Sequence, residues 1–113
     1  MSIRINPQEI NGTLSSTGIS HADGPYNFRG GRSVQGVVLS GESTNTTDKI
    51  ALWACAPGET PGTNTGAVIV AATLTPFITK VTLGGDFDLY VVPDTNTGTL
   101  KYRLQRWESN TAP

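Results

Sequence analysis

Only 15% of the 113 residues are charged, and the net charge is −1, against roughly 25% charged residues in an average soluble domain. This excludes a basic nucleic-acid footprint and an acidic tail, while the length allows one domain with its own core. A single cysteine, Cys55, excludes an intrachain disulfide, and no run approaches the ~20 apolar residues of a membrane helix.

The segment from Met1 to Pro7 lacks the apolar stretch of a secretory leader, so synthesis in a cytoplasm is expected. The sequon matches at Asn11-Gly12-Thr13 and Asn45-Thr46-Thr47 are then chance matches in a Thr-rich chain. Ile3 and Ile5 alternate with polar neighbours as a short strand would, and Pro7 ends it. Asn11-Gly12 is a turn signal. From Ser15 to Arg32 the chain is rich in Ser, Gly, Pro and Asn, with Ile19, Tyr26 and Phe28 as its apolar anchors. An irregular stretch of that length is uncommon inside a compact domain unless it is functional or disordered. Residues 1–32 are therefore read as an extended N-terminal arm, and residues 33–113 as the folded domain.

Strand patterns begin at Val34 and run to Gly41, followed by a loop from Glu42 to Thr47. Lys49 to Ala56 is the next strand. Ile50, Leu52 and Ala54 lie on one face and Ala51, Trp53 and Cys55 on the other, which predicts cover on both sides and a core position for Trp53. After a Pro/Gly loop from Pro57 to Gly66 come strands at Ala67–Thr75 and Phe77–Leu83, separated by Pro76. No charge occurs between Glu59 and Lys80. An exposed edge of that character would pair with other chains, so the Ala67–Thr75 strand is expected at a sheet centre; the alternative is an edge covered by another subunit. Thr-Asn-Thr recurs at Thr44, Thr63 and Thr95 at unequal intervals, which marks three loops of similar chemistry and not a structural repeat.

The last strands, Asp86–Pro93 and Gly98–Trp107, read as a hairpin closed by Asp94 to Thr97. Pairing Pro93 with Gly98 sets Val91, Leu89 and Phe87 opposite Leu100, Tyr102 and Leu104 on one apolar face. It places Asp88 opposite Arg103 and Tyr90 opposite Lys101 on the other. No segment carries a sustained helical stripe. The fold class is therefore all-β: a two-sheet antiparallel β-sandwich, jelly-roll or immunoglobulin-like, with the N-terminal arm outside it.

Chemistry-bearing residues are sparse. His21 and Asp23 are spaced for two metal ligands, but zinc needs three or four and no further His or Cys pair exists. Nothing resembles Gly-x-Ser-x-Gly, and Cys55 stands between alanines as a small buried hydrophobe would. Asp86 and Asp88 share a strand face at roughly 7 Å, a separation that suits a glycosidase, but Arg103 opposite Asp88 favours ordinary ion pairs. Phe28-Arg29-Gly30-Gly31-Arg32 has neither the repeats of an RNA-binding Arg-Gly segment nor the Lys and helix of a phosphate loop. No catalytic residue, metal or cofactor is expected.

A modest length, few charges, many Thr and Gly and an irregular arm before a β-core together resemble the small β-rich decoration (cement) proteins of tailed-phage capsids. The resemblance is one of architecture, without a motif. It implies a structural virion protein that binds between major capsid protein subunits, as a homo-oligomer, with no membrane or specific nucleic-acid partner. Head–tail and tail-fibre modules share the same traits. The candidate interface residues are Ile3, Arg4, Ile5, Ile10, Arg29, Arg32, Tyr90 and Trp107. The other reading is a carbohydrate-binding module that stacks a sugar between Tyr90 and Trp107.

Overall fold

Residues 9–30, 34–62 and 64–108 are described by the structure, a computed structural model. Alternating apolar side chains set up eight strands among them: β1 Glu9–Leu14, β2 Asp23–Phe28, β3 Gln35–Ser43, β4 Lys49–Cys55, β5 Ala67–Leu74, β6 Phe77–Thr82, β7 Phe87–Thr95 and β8 Leu100–Glu108. One 3-10 turn, Ile19–His21, lies between β1 and β2. The strands form two antiparallel four-stranded sheets, β1-β8-β3-β6 and β2-β7-β4-β5.

Among these strands only β4 and β5 are both consecutive and hydrogen-bonded; every other link crosses from one sheet to the other. That order makes the sandwich a jelly roll, not an immunoglobulin-like domain. Leu39, Ile50, Leu52, Leu89, Val91 and Leu100 fill the space between the sheets and are almost wholly buried. A second apolar cluster of Ala51, Cys55, Tyr90 and Val92 sits on the outer face of the second sheet, with Ala22 and Trp53 against it. β4 is thus an inner strand with apolar cover on both faces, as its sequence predicts. Trp53 itself is only half-buried, because it lies on that outer face and not between the sheets.

The final hairpin is a misreading. β7 pairs with β2 and β4, and β8 with β1 and β3. Leu89 and Val91 meet Leu100, Tyr102 and Leu104 within one core, across the gap between sheets and not side by side. Either arrangement buries the same faces, and the buried Tyr90 and Val92 on the back of β7 show that this strand needs cover on both sides. The crossing is held by Asp48. Its carboxylate accepts hydrogen bonds from the Thr97 and Gly98 amides (2.8 and 2.9 Å) and from the Thr97 and Ser43 hydroxyls (both 2.7 Å).

The N-terminal arm is corrected too, for residues 9–28. β1 lies on β8, with Ile10 beside Leu104 and Leu14 beside Leu100, and β2 lies on β7, with Phe28 beside Phe87. No domain boundary therefore falls at residue 32 or 33. β1 escaped notice because its middle inward residue is Gly12, where a Cβ would come within 2.5 Å of the Tyr102 ring. β2 was hidden by Gly24-Pro25, which interrupts its register between Asp23 and Tyr26.

β5 is an edge strand and not a central one. Its register against β4 breaks twice, between Ile50 and Leu52 and between Leu52 and Trp53, and each break leaves an extra residue on β5. Bulges of this kind bend an edge away from regular pairing. They are a guard that composition does not reveal.

Candidate functional site

Ile3, Arg4, Ile5 and Arg32 lie outside the described residues. The other expected interface residues do not form one surface. Ile10 packs against the core. The Arg29 guanidinium donates to the Phe28 and Phe87 carbonyls (3.0 and 3.2 Å) and lies 3.7 Å from the Asp88 carboxylate. Tyr90 is buried on the outer face of the second sheet, its hydroxyl donating to the Glu59 carbonyl at 3.2 Å. Trp107 follows the outward alternation of β8 on the first sheet, crosses Gly36 and donates to the Val81 carbonyl at 3.2 Å. The Lys80 ammonium caps its ring at 4.1 Å. Tyr90 and Trp107 therefore face away from each other on opposite sheets and cannot hold one sugar between them.

Several carboxylates are engaged in structure. Asp88 is buried beside Cys55 and Asn27 rather than opposite Arg103; one of its oxygens accepts from the Gly58 amide at 2.9 Å. Arg103 instead pairs with Glu9 at 2.9 Å and donates to Asn11 at 3.0 Å on the other sheet. Asp86 accepts from the Gly30 amide at 3.0 Å. Asp23 accepts from the Tyr102 hydroxyl at 3.0 Å, and Tyr102 also bonds to the Tyr26 hydroxyl. Burial, then those two hydrogen bonds, push the Tyr102 phenol far above its ordinary range. Burial likewise raises the Cys55 thiol, and the charges of Glu59 and Asp88 raise it further, so it stays protonated. Among the described residues no three His, Cys, Asp or Glu side chains cluster as metal ligands do.

Asp48 is the polar residue that sequence reasoning passed over. Burial acts to raise its carboxyl, but the four hydrogen bonds outweigh it and hold the pKa down to about 2. The signal was the repeated Thr-Asn-Thr. The loops at Thr44 and Thr95 dock on each other beside Asp48, with Asn45 donating to Thr97 at 2.7 Å and the Thr99 amide to Thr44 at 2.9 Å.

The surface that stands out is one side wall of the sandwich. There the edges of both sheets, β5 and β6, follow each other in the chain. On these two strands Val68, Leu74 and Ile78 are 49%, 53% and 79% exposed, Val68 beside Trp53 on the outer face of the second sheet and Ile78 outward on the first, and no residue from Thr60 to Thr79 is charged, Lys80 on β6 being the next charge. The opposite wall is guarded: β1 by the Glu9–Arg103 pair, β2 by Pro25 and its broken register. Around the corner, on the outer face of the first sheet, an open concavity of about 830 Å³ is lined by Asn11, Ser40, Glu42, Ile78, Lys101 and Arg103, among others.

Comparison of the chain with protein-family models, with curated proteins and with solved structures finds no match.

Proposed function

We propose that this chain is a non-enzymatic structural protein of a virion, a capsid decoration or cement protein that binds between major capsid protein subunits and stabilises the shell. The observation that carries this reading is the set of large apolar side chains, Val68, Leu74 and Ile78, left exposed on the neighbouring edge strands β5 and β6, in a stretch without charge from Thr60 to Thr79. Exposed large apolar side chains on adjoining edge strands suit a protein that is covered there in its working state. A surface with 15% charged residues also offers little repulsion between close-packed neighbours. Jelly rolls occur in viral shells as well as in lectins and cupins. The engagement of Asp23, Asp48 and Asp88 in internal hydrogen bonds speaks for a structural role and against acid–base chemistry.

The test is quantitative mass spectrometry of purified particles from the source of this sequence, together with their thermal opening. The chain should occur in a fixed ratio to the major shell protein, and particles stripped of it should open at a lower temperature. Particles that lack the chain altogether would refute the reading.

A further inference from the structure

We infer that the concavity on the outer face of the first sheet is a binding site for a neutral saccharide. The inference goes beyond the virion reading and does not depend on it.

Strand register builds the site. Opposed residues of antiparallel strands share a face, so pairing sets rows of outward side chains across the sheet. One row runs Asn11, Arg103, Ser40, Ile78, and the next runs Thr13, Lys101, Glu42. Between them Tyr102 is flanked by Gly12 and Gly41 and turns into the core, so backbone floors the trough. These residues line the volume of about 830 Å³, which falls within the roughly 300–1,000 Å³ of small-ligand sites.

The polar groups identify the ligand class. Lys101 and Glu42 stand directly opposite each other, with Cβ atoms roughly 4.5–5.5 Å apart by strand geometry. Both are exposed, yet they form no ion pair among the described residues. An ammonium donor beside a carboxylate acceptor suits two adjacent hydroxyls of a sugar ring, one accepting and one donating. In the next row the Arg103 guanidinium is held by Glu9 at 2.9 Å and by Asn11 at 3.0 Å, with the Ser40 hydroxyl on its other side. Two cations are thus matched by two carboxylates, and the trough favours neither an anion nor a cation.

Ile78, 79% exposed and opposite Ser40, supplies the apolar surface on which the C–H face of a sugar ring can rest. This gives Ile78 an occupant of its own and leaves Val68 and Leu74 on β5 untouched. A protein partner fits less well. Interface cores are depleted of charge and built on aromatic anchors, whereas Glu42, Lys101 and Arg103 all line this trough and no aromatic ring points outward in it.

An array of neutral and sialylated glycans, probed with the fluorescently labelled full chain, tests this. Neutral glycans should bind, the best of them in solution with a Kd below about 1 mM. That value should change less than about threefold between about 50 and 500 mM NaCl, since no net charge is neutralised. Glu42→Gln and Lys101→Met, both at exposed positions, should each weaken binding about tenfold and leave the thermal midpoint unchanged. Lys80→Met, on the same face but outside the trough, should bind as the parent does. In isotope-labelled chain titrated with that glycan, amide shifts should centre on Asn11–Thr13, Ser40–Glu42 and Lys101–Arg103. No binding across the array, binding confined to sialylated glycans, or shifts centred elsewhere overturns the site. A chain that occurs in particles and binds no glycan loses this inference and keeps the virion reading. A glycan-binding chain absent from particles does the reverse.

Discussion

Phe28→Ala and Leu14→Ala measure whether the N-terminal third belongs to the sandwich. Phe28 is 2% exposed and Leu14 is 4% exposed, both in the inter-sheet core, and the Arg106 guanidinium stacks 4.4 Å from the Phe28 ring centre. Truncating a buried Phe costs about 3–5 kcal/mol and a buried Leu about 2–5 kcal/mol; the lost cation–π contact adds roughly 0.5–1 kcal/mol to the first. With a urea slope of about 1.5 kcal/mol per M, Phe28→Ala should lower the unfolding midpoint by roughly 2–4 M. The two residues sit at separate places, Leu14 beside Leu100 and Phe28 beside Phe87, so the losses should add. A domain holding only about 5–15 kcal/mol in total should then be largely unfolded as the double variant. Tryptophan fluorescence and far-UV circular dichroism should report one shared transition for each single variant. If both single variants shift the midpoint by less than about 0.5 M, equivalent to under 1 kcal/mol, then β1 and β2 are peripheral and the placement argued above is wrong.

Two further predictions concern internal devices of the fold. Asp48 titrates at about 2 when folded against an ordinary 3.8, so its stabilising contribution is present above pH 4 and lost as pH falls from there towards 2. Urea melts between pH 2 and 6 should show this acid loss in the parent and a flatter limb in Asp48→Asn, whose amide nitrogen would meet donors where the parent offers an acceptor. An identical acid limb in both proteins would exclude Asp48 as its origin. Gly36→Ala places a Cβ on the Val81 carbonyl oxygen and 2.9 Å from the Thr82 Cα; backbone cannot swing aside, so the loss should reach about 3 kcal/mol or more. It should also shift Trp107 fluorescence, since the indole crosses that position. Gly84→Ala, where a Cβ meets nothing within 4 Å, should stay within about 0.5 kcal/mol of the parent.

What the sequence by itself determined is local. From Val34 onward, period-two alternation named each strand to within a residue or two and, for β4, β7 and β8, said how its faces are divided, because both properties depend on neighbours along the chain. β4, apolar on both faces, was correctly legible as an inner strand. Only the tertiary structure decided which strands are neighbours. An apolar face of Leu89 and Val91 is satisfied equally by strands about 4.8 Å away in the same sheet or by a sheet about 10 Å away across a core. The pattern records that cover is needed and not where it comes from. The same limit hid β1, whose inward Gly12 has no side chain to signal with, and left β5 indistinguishable from a central strand until its bulges were seen. The candidate site followed suit. Arg29, Tyr90 and Trp107 were chosen for their chemistry, but folding sent them to three places and spent their polar groups on the backbone. The charge-free run through β5 was legible in the sequence, but only folding set β5 and β6 next to each other as the edges of the two sheets.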